Sequence, residues 1–166
     1  MLELRRQKRD SLYDIQTEKP RILVSRDRRL EVSERVRFDG AVVTPLAEDE
    51  VRAAARRLRD AGIRTVAVCF LFSYVAPEHE RRVKEIVLEE MPDAFISVSH
   101  EVAPEFREYE RLSTTVVNAY LGPIMKSYIG RLQPRLGEIG IAAKPHLTQS
   151  NGGVISAEIT PPLDCV

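Results

Sequence analysis

SHEVAPEFREYERLSTTVVNAYLG, Ser99 to Gly122, is the stretch that decides how the rest of this chain is read. It opens as the polar end of a strand, turns through Pro104 and becomes the longest helical pattern in the sequence. Leu112, Val116, Val117, Tyr120, Leu121, Ile124, Met125, Tyr128, Ile129 and Leu132 keep the helical period. Gly122-Pro123 is expected to kink this helix, and Pro134 with Gly137 and Gly140 to end it. So long an apolar stripe needs a cover, because buried apolar surface stabilises by about 25 cal/mol per Å2. The first half of the stretch is crowded with groups that can do chemistry: His100, Glu101, Glu105, Glu108, Tyr109, Glu110 and Arg111.

Upstream of it the pattern alternates between helix and strand. Val51, Ala54, Ala55 and Leu58 stand at i, i+3, i+4 and i+7, which predicts an amphipathic helix from Glu48 to Ala61 capped by Gly62. Thr65 to Phe72 is apolar on both faces, as a central strand covered on both sides would be. Pro77 opens a second helix with Val83, Ile86 and Val87 inward, and Met91-Pro92-Asp93 stops it. Phe95 to Val98 is the next strand. The order is that of a βαβ unit, so the fold class read here is α/β with parallel sheet character and one long helix.

The flanks carry weaker signals. Leu30 to Phe38 reads as a strand with one wet face, turning at Asp39-Gly40 into a return strand at Ala41 to Val43. Leu147 marks a short strand, Ser150-Asn151-Gly152-Gly153 a sharp turn, and Val154 to Ile155 its returning partner. Residues 1 to 20 are polar with scattered apolar positions, and Thr160 to Val166 reads as a frayed tail.

Composition bounds the function. The chain has 166 residues, 43% hydrophobic and 30% charged, with 25 basic and 25 acidic residues in balance. That balance supplies no field to draw nucleic acid or an anionic membrane. No apolar run approaches the roughly 18 residues of a membrane span. Two cysteines, Cys69 and Cys165, make no disulfide framework, and a reducing, cytoplasmic compartment is expected. Cys69, inside an apolar run, is read as an inert buried thiol.

Two constellations are candidates for chemistry. The first is the cluster from His100 to Arg111 at the start of the long helix. Its acidic residues are also what a helix N-terminus favours, and Glu108 to Arg111 at i, i+3 needs no substrate to explain it. The second is the Gln149 to Gly153 turn, where two glycines let backbone amides approach a ligand closely. It is equally a hairpin turn, and it lacks the Lys and Ser or Thr of a Walker loop. His79, His100 and His146 are scattered, His79-Glu80 has no second histidine four residues on, and no metal site is expected.

Three motifs in order resemble a known family: AVCFLFSYVAPEHE (67–80), SHEVAPEFREYERLSTTVVNAYLGPIM (99–125) and QSNGGV (149–154). They are similar to the ATP-dependent hydantoinase/oxoprolinase family, which includes hydantoinase A and N-methylhydantoinase subunits, 5-oxoprolinases and acetone carboxylase β subunits. LELRRQKRDSLYDI (2–15) and VSERV (32–36) share the likeness. The resemblance implies a partial actin-like ATPase fold built on ribonuclease H-like domains. It implies a hydrolase that opens a cyclic amide, such as hydantoin or 5-oxoproline, by ATP-dependent phosphorylation of the amide oxygen. An acetone carboxylase-type β subunit and a non-catalytic subunit-interaction module are the alternatives.

Family members are several times longer and carry Gly-rich phosphate loops that this chain lacks. The expectation is therefore an internal fragment, inactive alone, with ATP and Mg2+ serving the full-length protein and no cofactor bound by the fragment. Its domains would be the end of an N-terminal hydantoinase/oxoprolinase domain (1–100), the start of the central hydantoinase A domain (101–156) and the tail (157–166). The implied partners are a hydantoinase B-type subunit or domain and a small-molecule substrate, with a homo-oligomer also open. Carried over residue by residue, the resemblance implies catalytic roles for Glu108, Glu110 and Arg111. It implies substrate or nucleotide contacts for Glu105, Asn118, Ser150, Asn151 and Gly152.

Overall fold

The computed structural model describes residues 22–141, 143, 145–148 and 152–156, together with Tyr13 and Gln16. The expectations placed on residues 1–12, on Ser150 and Asn151, and on the 157–166 tail lie outside the described residues.

The centre is the βαβ unit. Strand β3 (Thr65–Val68) pairs in parallel with β4 (Phe95–Val98), Thr65 opposite Phe95 and Val68 opposite Val98. Helix α2 (Glu78–Glu90) makes the crossover between them, and α1 (Glu48–Asp60) packs beside it. The period-2 alternation of a strand sorts the side chains. Val66, Val68 and Val98 face Val51 and Ala55 of α1 and Val83, Ile86 and Val87 of α2, and these form the buried core with Met91. Burying a side chain such as Ile86, which is 0% exposed, is worth about 1.5–3 kcal/mol. Ser97 turns to the other face, where its hydroxyl accepts a hydrogen bond from Asn118 on α4.

Helix α4 (Glu108–Glu138) covers that second face, contacting both strands. At about 1.5 Å per residue its 31 residues far outreach a four-residue strand. Tyr120, Ile124 and Tyr128 are exposed on its outer side. The helix runs on through both Pro123 and Pro134, so of the residues expected to end it Pro134 does not. Each proline removes one ladder hydrogen bond, and at Pro123 the helix is held by the neighbouring buried Val116, Ala119 and Gly122. Termination comes at Gly140, with φ +78, and Ile141 N–H returns to the Leu136 carbonyl at 2.9 Å.

Other boundaries also differ from the sequence reading. Strand β3 stops at Val68, and residues 71–75 are a turn although they remain apolar. Ser99–Val102 forms a short helix, α3, in place of a polar strand end. The wet-faced strand shrinks to β1 (Arg35–Val36), antiparallel to β2 (Val42–Thr44) across the Asp39-Gly40 turn. The C-terminal hairpin forms as expected from β5 (His146–Thr148) and β6 (Val154–Ser156).

Candidate functional site

Beyond the carboxyl ends of β3 and β4 lies the largest group of buried polar side chains among the described residues. In a parallel sheet this is where ligands bind, because the loops leaving the strands gather there. Glu80, at 0% exposure, is the hub. Its Oε1 accepts from Phe70 N–H at 2.8 Å and from Ser99 Oγ at 2.6 Å. Its Oε2 accepts from His100 N–H at 2.9 Å and lies 2.8 Å from His100 Nδ1. A carboxylate only accepts, so against Glu80 it is Nδ1 that carries a proton. Ser73 Oγ completes the group, 2.8 Å from Ser99 Oγ.

Arg111 is the second hub. It sits one turn into α4 and is 1% exposed. It turns inward, not along the helix surface toward Glu108. Its guanidinium donates to the carbonyls of Phe70 at 2.9 Å, Leu71 at 2.7 Å and Glu105, and lies 5.2 Å from the centre of the Tyr74 ring. Among the described residues its Nε has no hydrogen-bond partner. These contacts tie the start of α4 to the turn after β3. Cys69, the residue before Phe70, has its thiol pushed up by burial, opposed in part by Ser99 and Arg111.

The other candidate residues scatter around these hubs. Asn118 is buried, its Nδ2 donating to Ser97 Oγ at 2.8 Å, while its Oδ1 has no partner among the described residues. Glu105 and Glu108 are exposed at the entrance to α4, and Glu110 is half-buried there. Gly152 lies at the exposed tip before β6 with φ +86. Arg111 and Asn118 thus share the inner side of α4, and Glu105, Glu108 and Glu110 ring its start. Sequence reading missed Glu80, Ser73 and Ser97. The signal for Glu80 was there: it stands at i with Val83 at i+3 and Val87 at i+7, an acid on a buried line.

The sequence profile described as "Hydantoinase/oxoprolinase N-terminal region" matches residues 1–91, and the one described as "Hydantoinase/oxoprolinase" matches residues 111–162. The chain belongs to the hydantoinase/oxoprolinase family. Caprolactamase subunit alpha of Pseudomonas jessenii is 39% identical over 142 residues, covering 86% of this chain and 20% of that protein. The acetone carboxylase beta subunit of Xanthobacter autotrophicus is 33% identical over 138 residues, covering 81% of this chain and 19% of that protein. The crystal structure of ATP-dependent caprolactamase from P. jessenii superposes with a TM-score of 0.86 at 38% identity, covering 92% of this chain and 22% of the other. Nucleotide-free acetone carboxylase superposes with a TM-score of 0.70 at 30% identity, covering 81% of this chain and 20% of the other. This hydantoinase/oxoprolinase chain therefore spans about a fifth of the length of these relatives. Its α/β architecture, a partial actin-like fold with one βαβ unit and one long helix, is that of the family's ATP-dependent members. Several relatives are named as subunits. Among the described residues no helix is long and apolar enough to cross a membrane.

Proposed function

We propose that this chain is a piece of an ATP-dependent cyclic-amide hydrolase of the cytoplasm, opening a hydantoin- or 5-oxoproline-type ring through phosphorylation of the amide. The observation that carries this reading is the superposition on ATP-dependent caprolactamase at 38% identity over 92% of the chain. An acetone carboxylase-type role is the second reading, favoured by the likeness to that enzyme's beta subunit.

The residues described here do not by themselves fit a nucleoside triphosphate with Mg2+. The Arg111 guanidinium already holds three carbonyls, and no group of three or more His, Cys, Asp or Glu that could hold a metal occurs among the described residues. In this reading ATP and Mg2+ bind the longer protein, and a hydantoinase B-type subunit or domain is its partner. The proposed boundary between the N-terminal and central domains falls near residue 100. Glu108 and Glu110 face the reacting groups, and Glu105, Asn118, Ser150, Asn151 and Gly152 contact substrate or nucleotide. Arg111 acts by fixing the start of α4, which is what its burial and its carbonyl partners support.

The test is ATP hydrolysis by the full-length protein with its partner subunit, measured against a panel of lactams, hydantoins and ketones. Stimulation by a cyclic amide is expected. Stimulation by a ketone with bicarbonate alone would transfer the assignment to the carboxylase reading, and stimulation by neither would overturn both. Calorimetric titration of this chain alone with ATP and Mg2+ is expected to show no binding, and stoichiometric binding would contradict the assignment of the nucleotide to the longer protein.

A further inference from the structure

We infer that His100 is the general base of the hydrolytic step, and that Glu80 is the positioning residue that makes it one. The inference rests on the hydrolase reading above and gives His100 and Glu80 roles that the family resemblance did not assign to them.

Four donors converge on the two oxygens of Glu80, and two of them belong to His100: its backbone N–H and its Nδ1. The backbone contact fixes where the residue stands and the ring contact fixes how the imidazole is turned. With Nδ1 committed as a donor, Nε2 is left as a proton acceptor. A carboxylate behind the ring stabilises the imidazolium that forms when Nε2 takes a proton, which is the physical basis of carboxylate-oriented histidine bases.

Nε2 points outward. It lies 3.9 Å from Oε1 of Glu101, a residue on the surface, and the His100 side chain keeps 9% of its area exposed. Lys84 of α2 holds both oxygens of Glu101, at 2.7 and 2.8 Å. The groups facing the ring are therefore Glu80 within, and Glu101 with its Lys84 without. Glu101 on the surface is the group through which a proton taken up at Nε2 would pass to solvent between turnovers. The pair stands beyond the carboxyl ends of parallel strands, where substrate is expected.

In the step itself an O–H bond of water breaks and its proton goes to Nε2. The water oxygen forms a bond to the carbon of the O-phosphorylated amide; the ring carbon–nitrogen bond then breaks with its electron pair on nitrogen, which takes the proton held at Nε2, and the acyl phosphate left behind is hydrolysed by a second water to carboxylate and phosphate. No electron is gained or lost by the protein.

The test uses the full-length protein with its partner subunit. His100→Asn keeps a donor where Nδ1 stands and so keeps the clasp on Glu80, but it has no base at Nε2. A fall in kcat of about 10²–10⁴-fold is expected with KM changed little, together with loss of the acidic limb of the pH–rate profile. His100→Gly should be rescued at least tenfold by added imidazole. Glu80→Gln should lower kcat while leaving part of the acidic limb. Thermal unfolding of each variant separates lost chemistry from lost fold. If wild type shows cyclic-amide-dependent turnover while His100→Asn keeps its rate and pH profile, the inference is overturned and the hydrolase reading stands. If wild type shows no such turnover, both fall together.

Discussion

Gly122 of α4 lies against the tip of the Phe95 ring on β4: a Cβ at residue 122 would come within 2.2 Å of the Phe95 Cζ atom. Gly122→Ala should therefore destabilise the protein although alanine is the better helix former. Overpacking costs about 1–3 kcal/mol, while the propensity gain is about 1 kcal/mol. Urea denaturation followed by circular dichroism reads the difference. Adding Phe95→Leu should recover most of the loss. Stabilisation by the single change would show that the ring moves aside freely.

Arg111 should tolerate neither loss of charge nor loss of shape. Its planar fork reaches carbonyls on two segments at once, those of Phe70 and Leu71 after β3 and that of Glu105 before α4. Arg111→Lys supplies one nitrogen where the site uses two. We expect it to lose about 1–3 kcal/mol, and Arg111→Met at least as much, since the half-buried carbonyls of Phe70 and Leu71 are left without donors. Chemical denaturation checks both. Equal stability of Arg111→Lys and wild type would show that the carbonyl contacts contribute little.

The α1–α2 clasp should weaken in acid. Arg82 holds Glu48, and Arg56 holds Glu90, each at 2.8 Å. Hydrogen bonds from these arginines keep both carboxyls below their ordinary value of 4.5. A carboxyl lowered in the folded state stabilises the fold above its unfolded value, and that contribution is lost as pH falls through the folded one. The urea midpoint should hold at neutral pH and decline below pH 4.5. Glu90→Gln should flatten the decline, and salt at about 0.5 M should shrink it, because the pairs are on the surface. A decline unchanged by Glu90→Gln would place its origin in other carboxyls.

Cys69 should be slow to react. Burial raises its thiol above the ordinary 9.0, so little thiolate exists at neutral pH. In a Cys165→Ser background, alkylation by iodoacetamide should be much slower in buffer than in denaturant. Equal rates would mean that the thiol is open to solvent.

How much of this was legible beforehand can be judged element by element. Helices α1 and α2 follow from apolar residues at helical spacing, and their predicted bounds fall within a residue or so of the observed ones. The parallel pairing of β3 and β4 follows from the helix between them. The over-long prediction for β3 has a definite cause. Phe70, Leu71 and Phe72 look like strand, but the carbonyls of Phe70 and Leu71 are taken by Arg111, some forty residues away, which holds the backbone in a turn. The continuation of α4 past Pro123 was read from the apolar period that runs to Leu132, but its passage through Pro134 was not, since local rules see only the lost hydrogen bond there. The candidate cluster was found by its residue types, but its hub was not. Glu80 belongs to a different helix and meets Ser99 and His100 only after the βαβ unit closes.

By itself the sequence determined the α/β class, the order of the elements, the family and the region where reactive groups gather, because spacing, turn chemistry and motif order are written along the chain. Tertiary structure alone decided which of those groups face inward. Arg111 became a buried brace, and Glu80 became the acceptor that orients His100. The reason is that hydrogen-bond partners are chosen by proximity in space, and residues 20 to 41 positions apart become neighbours only once β3 and β4 have paired and α4 has closed over them.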